Sequence, residues 1–467
     1  MRLAKPDSMA QRASWTRYSS AQRYLFLTIL LLVAISNYFD YFVISVLLEP
    51  IKLEFHVSDA SLGILSGLCF AILYAVTAIP IARWADRGNR RTVITFALAA
   101  WSTMTALCGS AHSFWQLAAA RVAVGAVEPG ALPPAQSLII DYFPPEKRAS
   151  ATAIVTQGGS AMGWLLGVGL GGYLAAVYGW RTTLFYAGIP GLLLACLAWL
   201  LLREPREYLW GASGVDRTPC QRIGGNSSEP ELEGALQAMR SLRDKPAYVM
   251  LVAGVSIYAV FTYGLATFLP SFMVRSLHVT LQQVALPWGT TIAVANLGGA
   301  LIGGQLADRL GLRDPRWYAW IPALGCVMDL PLYALALCAN HLGSFIVLDF
   351  VAELVIAAGM PPVFVALQAV SGKRRRTLAV ACALLMFSLL GSGVGPPIAG
   401  LISDTLQPIY GSESLRYALF IILLFLLPAA LMFQRAGSRL PRDVEDWAAP
   451  ATQDSAGGFR PHDALGD

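Results

Sequence analysis

The sequence predicts an all-α membrane protein whose twelve transmembrane helices form two six-helix repeats, and three observations predict it. Twelve apolar windows of spanning length follow one another along the chain. The connections between them alternate between rich and poor in lysine and arginine. Short motifs in the first six windows recur at corresponding places in the last six. Composition agrees, with 56% hydrophobic residues, only 13% charged residues and a mean hydropathy of +0.55, where soluble proteins carry about 25% charged residues.

Residues 1–23 are polar and basic and form a cytoplasmic N-terminal segment. The apolar run from Tyr24 to Leu48 is longer than a signal-peptide core, carries Asn37 and Asp40, and shows no small-residue cleavage site, so it is an uncleaved first span. Spans 2 to 6 fall near 62–82, 92–111, 114–140, 149–177 and 182–202 and complete an N-terminal half, 24–202. Residues 203–246, rich in Gly, Pro, Ser and charge, form a cytoplasmic linker. Within it Ser228-Glu229-Pro230-Glu231 has capping-box spacing, and Leu232, Leu236, Met239 and Leu242 follow at helical intervals until Pro246. A short helix on the inner membrane surface is expected there. Spans 7 to 12 fall near 247–273, 283–306, 317–339, 343–369, 377–402 and 415–434, giving a C-terminal half, 247–435. The cytoplasmic tail, 436–467, lacks the apolar content to fold and is expected to be disordered.

With the N-terminus inside, 29 of the 34 lysines and arginines lie on inner segments, and the outer loops hold Lys52, Arg181, Arg275 and Arg416. That bias puts both termini in the cytoplasm of a multi-pass protein of the plasma or inner membrane. The net charge of +5 is therefore topology, and no nucleic-acid partner is expected. Six of the seven cysteines lie in apolar runs and none forms a C-x-x-C pair, so they read as packing residues.

The repeat is explicit in the loops after spans 2 and 8. Ala82-Arg83-Trp84-Ala85-Asp86-Arg87-Gly88-Asn89-Arg90-Arg91 aligns without gaps to Gly304-Gln305-Leu306-Ala307-Asp308-Arg309-Leu310-Gly311-Leu312-Arg313. Gly163, Gly167, Gly171 and Gly172 of span 5 are answered by Gly391, Gly395, Ala399 and Gly400 of span 11, and Pro133-Pro134 of span 4 by Pro361-Pro362 of span 10. Glycine every fourth residue gives a helix a flat side on which a neighbour's backbone approaches closely. The G-x-G-x-x-G match at Gly167, Gly169 and Gly172 has no preceding strand and is helix packing, not a dinucleotide site. Asn226-Ser227-Ser228 matches the glycosylation pattern but falls on the cytoplasmic side.

Span 4 holds the charges that need explaining. Arg121, Gly125 and Glu128 share one helical face, the charged pair about two turns or roughly 10 Å apart. A charge at bilayer depth costs several kcal/mol, so such residues face a protein interior or a wet cavity, with partners. Asp40 of span 1 lies at the depth of Arg121 to within about one turn. An arginine stabilises a carboxylate while desolvation and a second carboxylate oppose ionisation, so two acids around one arginine suit a proton-binding group. A purely structural pair is the alternative.

Two spinoffs of the same pattern connect these residues to a known family. Twelve spans in two repeats, with D-R-x-G/N-x-R loops after spans 2 and 8, resemble the major facilitator superfamily over about 24–435. Asn37-Tyr38-x-Asp40, Asp86-Arg87-Gly88-Asn89-Arg90-Arg91, Arg121-x3-Gly125-x2-Glu128 and Asp141-Tyr142-Phe143-Pro144 are similar to the spinster-type branch, which includes lysophospholipid and sphingosine 1-phosphate transporters. The resemblance implies that Asp40, Arg121 and Glu128 form the polar core of the N-terminal half. Asn89 in place of the usual glycine, Tyr41 in place of arginine, and Val127 and Pro129 around Glu128 depart from the branch, and bear on substrate more than on mechanism.

In the second half the proline alignment sets Asp349 opposite Arg121 and Glu353 opposite Gly125, so these acids are a second protonation site, or a contact for a cationic part of the substrate, or simply interface residues. Asp329 is expected to make a packing or gating hydrogen bond. Asp86, Arg87, Arg90, Asp308 and Arg309 are assigned to gating, each aspartate meeting a helix N-terminus and arginines in one conformational state. Tyr38, Tyr41, Trp164, Tyr258 and Tyr263 suit a cavity for an amphiphile, or pack helices. The function expected is a monomeric secondary transporter, coupled to protons and working by alternating access, for an amphiphilic lipid-like or organic anion. The alternative within transport is a proton-linked importer of small aromatic or sugar carboxylates. An intramembrane enzyme or a receptor is disfavoured: there is no metal-ligand cluster, cofactor motif, nucleophile-histidine set or large sensor domain, and His56, His112, His278 and His341 lie at outer span ends.

Overall fold

The computed structural model describes residues 14–206 and 235–444, and among these the chain is helical with no strand. Spans 1 to 3 are Ser20–Phe55, Asp59–Arg87 and Arg90–Gly109; span 4 is built from Phe114–Val127 and Leu132–Tyr142; spans 5 and 6 are Pro145–Tyr178 and Trp180–Leu201. Spans 7 to 10 are Pro246–Ser276, Leu281–Gly311, Trp317–Leu337 and Leu342–Gly372. Span 11 occupies 373–410, and span 12 comprises Ser414–Leu423 and Leu426–Asp443. Ten helical stretches among the described residues are long and apolar enough to span as they stand. Twelve spans result because span 4 is broken into two shorter pieces and one of the ten, Leu378–Asp443, holds both of the last two.

Local sequence explains the ends and breaks. Ser19 and Gln22 form a capping box at span 1, Thr280 and Gln283 one at span 8, and Ser58, Asn89 and Ser113 cap spans 2, 3 and 4. Gly372, at φ 70°, turns the chain from span 10 into span 11 in a conformation most side chains avoid. Span 4 is not the continuous helix expected over 114–140. Pro129 and Pro133 each remove an N–H from the helical ladder, and a 3₁₀ turn at Glu128–Gly130 separates the two pieces.

The flat glycine sides pack as the spacing requires. Gly159, Gly163 and Gly171 of span 5 lie against Ala34, Tyr38 and Val43 of span 1, and Gly391 and Gly395 of span 11 against Ala259 and Val260 of span 7. Glycines also join the halves: Gly63 and Gly67 of span 2 meet Pro396 and Ser392 of span 11, and Gly172 of span 5 meets Ala285 of span 8. Without a hydrophobic drive between helices in lipid, this close fit of glycines against neighbouring helices supplies much of the adhesion.

Two chain segments differ from expectation or limit it. Span 12 does not end near Arg435: the helix continues to Asp443, because Ala436, Gly437 and Leu440 are buried and Gly437 abuts Trp320 of span 9. Asp443 Oδ2 then accepts the Ala247 N–H at the start of span 7, 2.8 Å away. The remaining tail, 445–467, lies outside the described residues, as does the Ser228–Glu231 capping box. The linker does contain a helix, Ala235–Arg243, ending just before span 7, with Leu242 buried.

Candidate substrate and proton site

Asn37 and Asp40, three residues apart on span 1, point inward toward spans 3 and 4, and both are buried, as are Arg121 and Glu128. Arg121 Nη1 donates to Asp40 Oδ2 at 3.0 Å, and the Thr105 hydroxyl of span 3 donates to Asp40 Oδ1. Asn37 Nδ2 donates to Glu128 Oε1 at 2.6 Å. Arg121 therefore does not bridge two carboxylates. Glu128 stands where the helix gives way to the 3₁₀ turn, and its hydrogen bond goes to Asn37 on span 1. Three polar atoms remain without a protein partner although shielded from solvent: Arg121 Nε, Arg121 Nη2 and Glu128 Oε2. Phe70 of span 2 covers the guanidinium, its ring centre 5.8 Å from Cζ, and the backbone of Phe70 approaches Gly125 so closely that a side chain there would collide with it.

In the second half, Asp349 Oδ2 accepts from the Trp288 indole of span 8 at 2.8 Å, and Glu353 accepts from Tyr333 of span 9 at 3.0 Å and from Asn296 at 3.4 Å. Asp329 departs from expectation, since neither of its carboxyl oxygens has a hydrogen-bond partner. The five aromatics divide. Tyr41 and Tyr263 meet edge to face across the halves, ring centres 5.8 Å apart, while Tyr38 is partly exposed beside them. Trp164 is a packing residue, stacked on Phe42 at 3.9 Å and edge-on to Trp288 at 5.9 Å. Tyr258 sits in the core of the second half and donates to the Ile356 carbonyl at 3.3 Å.

The loop residues also divide. Asp86 and Asp308 do not start helices: each lies in the last turn of its span, and Asn89 takes the capping position of span 3. Asp86, Arg87, Asp308 and Arg309 are exposed, with no hydrogen bond or ion pair from their side chains among the described residues. Arg90 is different. Buried at the start of span 3, it pairs with Glu204 at 2.5 Å and Asp141 at 2.6 Å and donates to Ser137 at 2.8 Å, fastening spans 3 and 4 to the beginning of the linker. Burial disfavours the charged Glu204, but the hydrogen bonds and charge of Arg90 outweigh it and hold the carboxyl below its ordinary range.

Sequence reasoning missed the polar contacts between the halves. Those seen among the described residues lie at the end of the bundle away from the termini. Arg275 of span 7 reaches Asp59 of span 2 and Glu49 of span 1, Lys52 adds a 2.6 Å bond to Asp59, and Ser403 of span 11 donates to Asp59 at 2.7 Å. Asp404 accepts the backbone N–H groups of Asp59 and Ala60 at 2.9 and 2.8 Å, a carboxylate on the first turn of span 2. The signal was available: Arg275 is one of four cations on an otherwise cation-poor side. Thr105 carried no such mark, and Asn37 was visible only as part of a motif.

Two packed halves of six spans, with ionisable side chains buried inside them, define a polytopic membrane transporter. Residues 30–339 match the model of the Major Facilitator Superfamily, and the chain belongs to that family of transporters, which are not enzymes. An MFS-type efflux pump of Mycolicibacterium smegmatis is 32% identical over 95% of this chain and 99% of its own length. Protein spinster homolog 1 of Homo sapiens is 26% identical over 84% of this chain and 75% of its own. Among solved structures, a bacterial homologue of the human lysosomal transporter spinster, inward-facing and unoccupied, superposes with a TM-score of 0.80 at 29% identity, covering 92% of this chain and all of that one. The same kind of protein in its inward-facing, occupied form gives 0.77 at 28% identity.

Proposed function

We propose that this chain is a spinster-like secondary carrier that moves an amphiphilic organic anion by alternating access, coupled to protons through Asp40, Arg121 and Glu128. The observation that carries the reading is Arg121: a buried guanidinium that uses one nitrogen on Asp40 and keeps Nε and Nη2 free. Two N–H-bearing nitrogens on one planar edge fit the oxygens of a carboxylate or phosphate. An anion arriving there brings further negative charge beside Asp40 and Glu128, and in a dry site that added charge favours proton uptake by a carboxylate. Anion binding and proton binding are thereby linked, which is what coupling requires. Tyr38, Tyr41 and Tyr263 supply aromatic surface for the apolar part of the substrate.

The likeness to inward-facing spinster homologues supports the alternating-access cycle. Positive-inside counting supports a cell-membrane carrier with cytoplasmic termini, so the end where Arg275, Asp59 and Asp404 join the halves faces outward. The test is flux in liposomes under an imposed pH gradient, run against lysolipids and aromatic acids. Uptake of one class that follows the gradient and vanishes in Arg121→Ala is expected; flux indifferent to the gradient for every substrate carried would overturn proton coupling.

A further inference from the structure

Among the described residues the interior of the second half holds three buried acids, Asp329 on span 9 and Asp349 and Glu353 on span 10, and no buried base. Asp329 is fully buried with both carboxyl oxygens unpartnered, and it lines a crevice with Tyr258 of span 7, Cys326, Met360 and Phe433. Facing the cluster are Tyr258 from span 7, Trp288 and Asn296 from span 8, Cys326 and Tyr333 from span 9 and the uncharged Phe433 from span 12. None of these is a cation. Three uncompensated carboxylates in a dry interior cost far more than a fold can supply, so the cluster must hold positive charge from outside the chain. No group of side chains has the arrangement of a metal site among the described residues, and the proton is the charge that three separate carboxyl groups can each take up in place.

We propose that Asp329, Asp349 and Glu353 form a second proton-binding site, in the C-terminal half, that exchanges protons without an arginine partner. The crevice beside the bare Asp329 carboxyl has a volume of about 10 Å³, the space of roughly one water. The Tyr333 hydroxyl and the Trp288 indole orient Glu353 and Asp349 by donating to one oxygen of each. Asp349 Oδ1 is left without a partner and free to carry the proton. Its use in transport rests on the proton-coupled reading above; the site itself is measured apart from transport.

The experiment is infrared difference spectroscopy of the purified full chain, acid minus alkaline, in the stretching band of protonated carboxyl groups. It is done in an Asp40→Asn/Glu128→Gln background that silences the first half. The expected result is a protonated-carboxyl band that still changes with pH, and that loses separate components in Asp329→Asn and in Glu353→Gln. Tyr333→Phe keeps all three acids and the ring, and should shift the Glu353 component by removing its hydrogen bond. A band that does not change with pH, or that is indifferent to all these substitutions, overturns the site. Failure of pH-driven flux in the parent would instead overturn coupling and leave this spectrum unaffected.

Discussion

Arg275 holds Asp59 in a two-pronged ion pair across the two halves, Nη1 to Oδ2 at 2.8 Å and Nη2 to Oδ1 at 2.9 Å. Asp59 is 2% exposed and Arg275 11%, so the pair is shielded and its loss matters more than that of a surface bridge. Arg275→Gln should weaken the closure at this end and raise the population open there. A shift of about 2 kcal/mol changes that population roughly thirtyfold. A single cysteine placed between Asp59 and Asp404 should be labelled faster from the side away from the termini than in the parent. Labelling at the parent's rate would show that the pair does not hold the closed state.

Asp40→Asn and Glu128→Gln should each abolish pH-driven transport while leaving the protein folded, because the amide keeps the shape and the Asn37 and Thr105 contacts but not the exchangeable charge. Proton-driven flux unchanged in both would remove these residues from coupling.

Arg121→Lys should be severely impaired, since a compact ammonium cannot bond Asp40 and still present a planar edge to an anion. Arg121→Ala should be worse and lose thermal stability too, because it strands the buried Asp40 carboxylate, typically at about 3–5 kcal/mol. Near-normal flux in the lysine variant would reduce the requirement to simple charge.

Much of the fold was legible because the bilayer restricts it. Span length, glycine every fourth residue and the cation bias follow from hydrocarbon thickness, close packing and topology, each a one-dimensional property of sequence. Depth put Asp40 level with Arg121, and the family resemblance placed the two in one polar core. What depth could not resolve was direction around the axis: Glu128 turns to Asn37 because Pro129 breaks the helix beneath it. Contacts between halves, such as Asp404 on the Asp59 N–H, depend on two helices 345 residues apart in the chain, and no spacing rule reaches that far.

Glu204→Gln tests the Arg90 fastening through pH. The folded carboxyl lies below its ordinary value, so its stabilisation is complete above that value and is lost as pH falls through the folded one. Thermal stability of the parent should therefore decline on acidification below about pH 4 more steeply than that of Glu204→Gln, which is already weaker at neutral pH. Parallel curves for the two proteins would mean that Glu204 carries no pH-dependent stability.

The last prediction concerns the opposite end, where the Asp86 and Asp308 side chains stand exposed and without hydrogen-bond or ion-pair partners among the described residues. In this conformation a carboxylate at either place contributes no contact that Asp86→Asn could remove. If these loops act as gates, their bonds form only when the end near the termini closes, so the substitution destabilises that one state and leaves the present one as it is. The equilibrium should move further toward the conformation seen here. A shift of ~2 kcal/mol would cut the competing population about thirtyfold and slow turnover without touching Arg121 or Asp40. Asp86→Asn should accordingly bind substrate with near-parental affinity, transport slowly, and show faster labelling of a cavity cysteine from the side of the termini. Faster labelling from the Arg275 side instead would place the gate at the wrong end and reverse the orientation drawn from the distribution of positive charge.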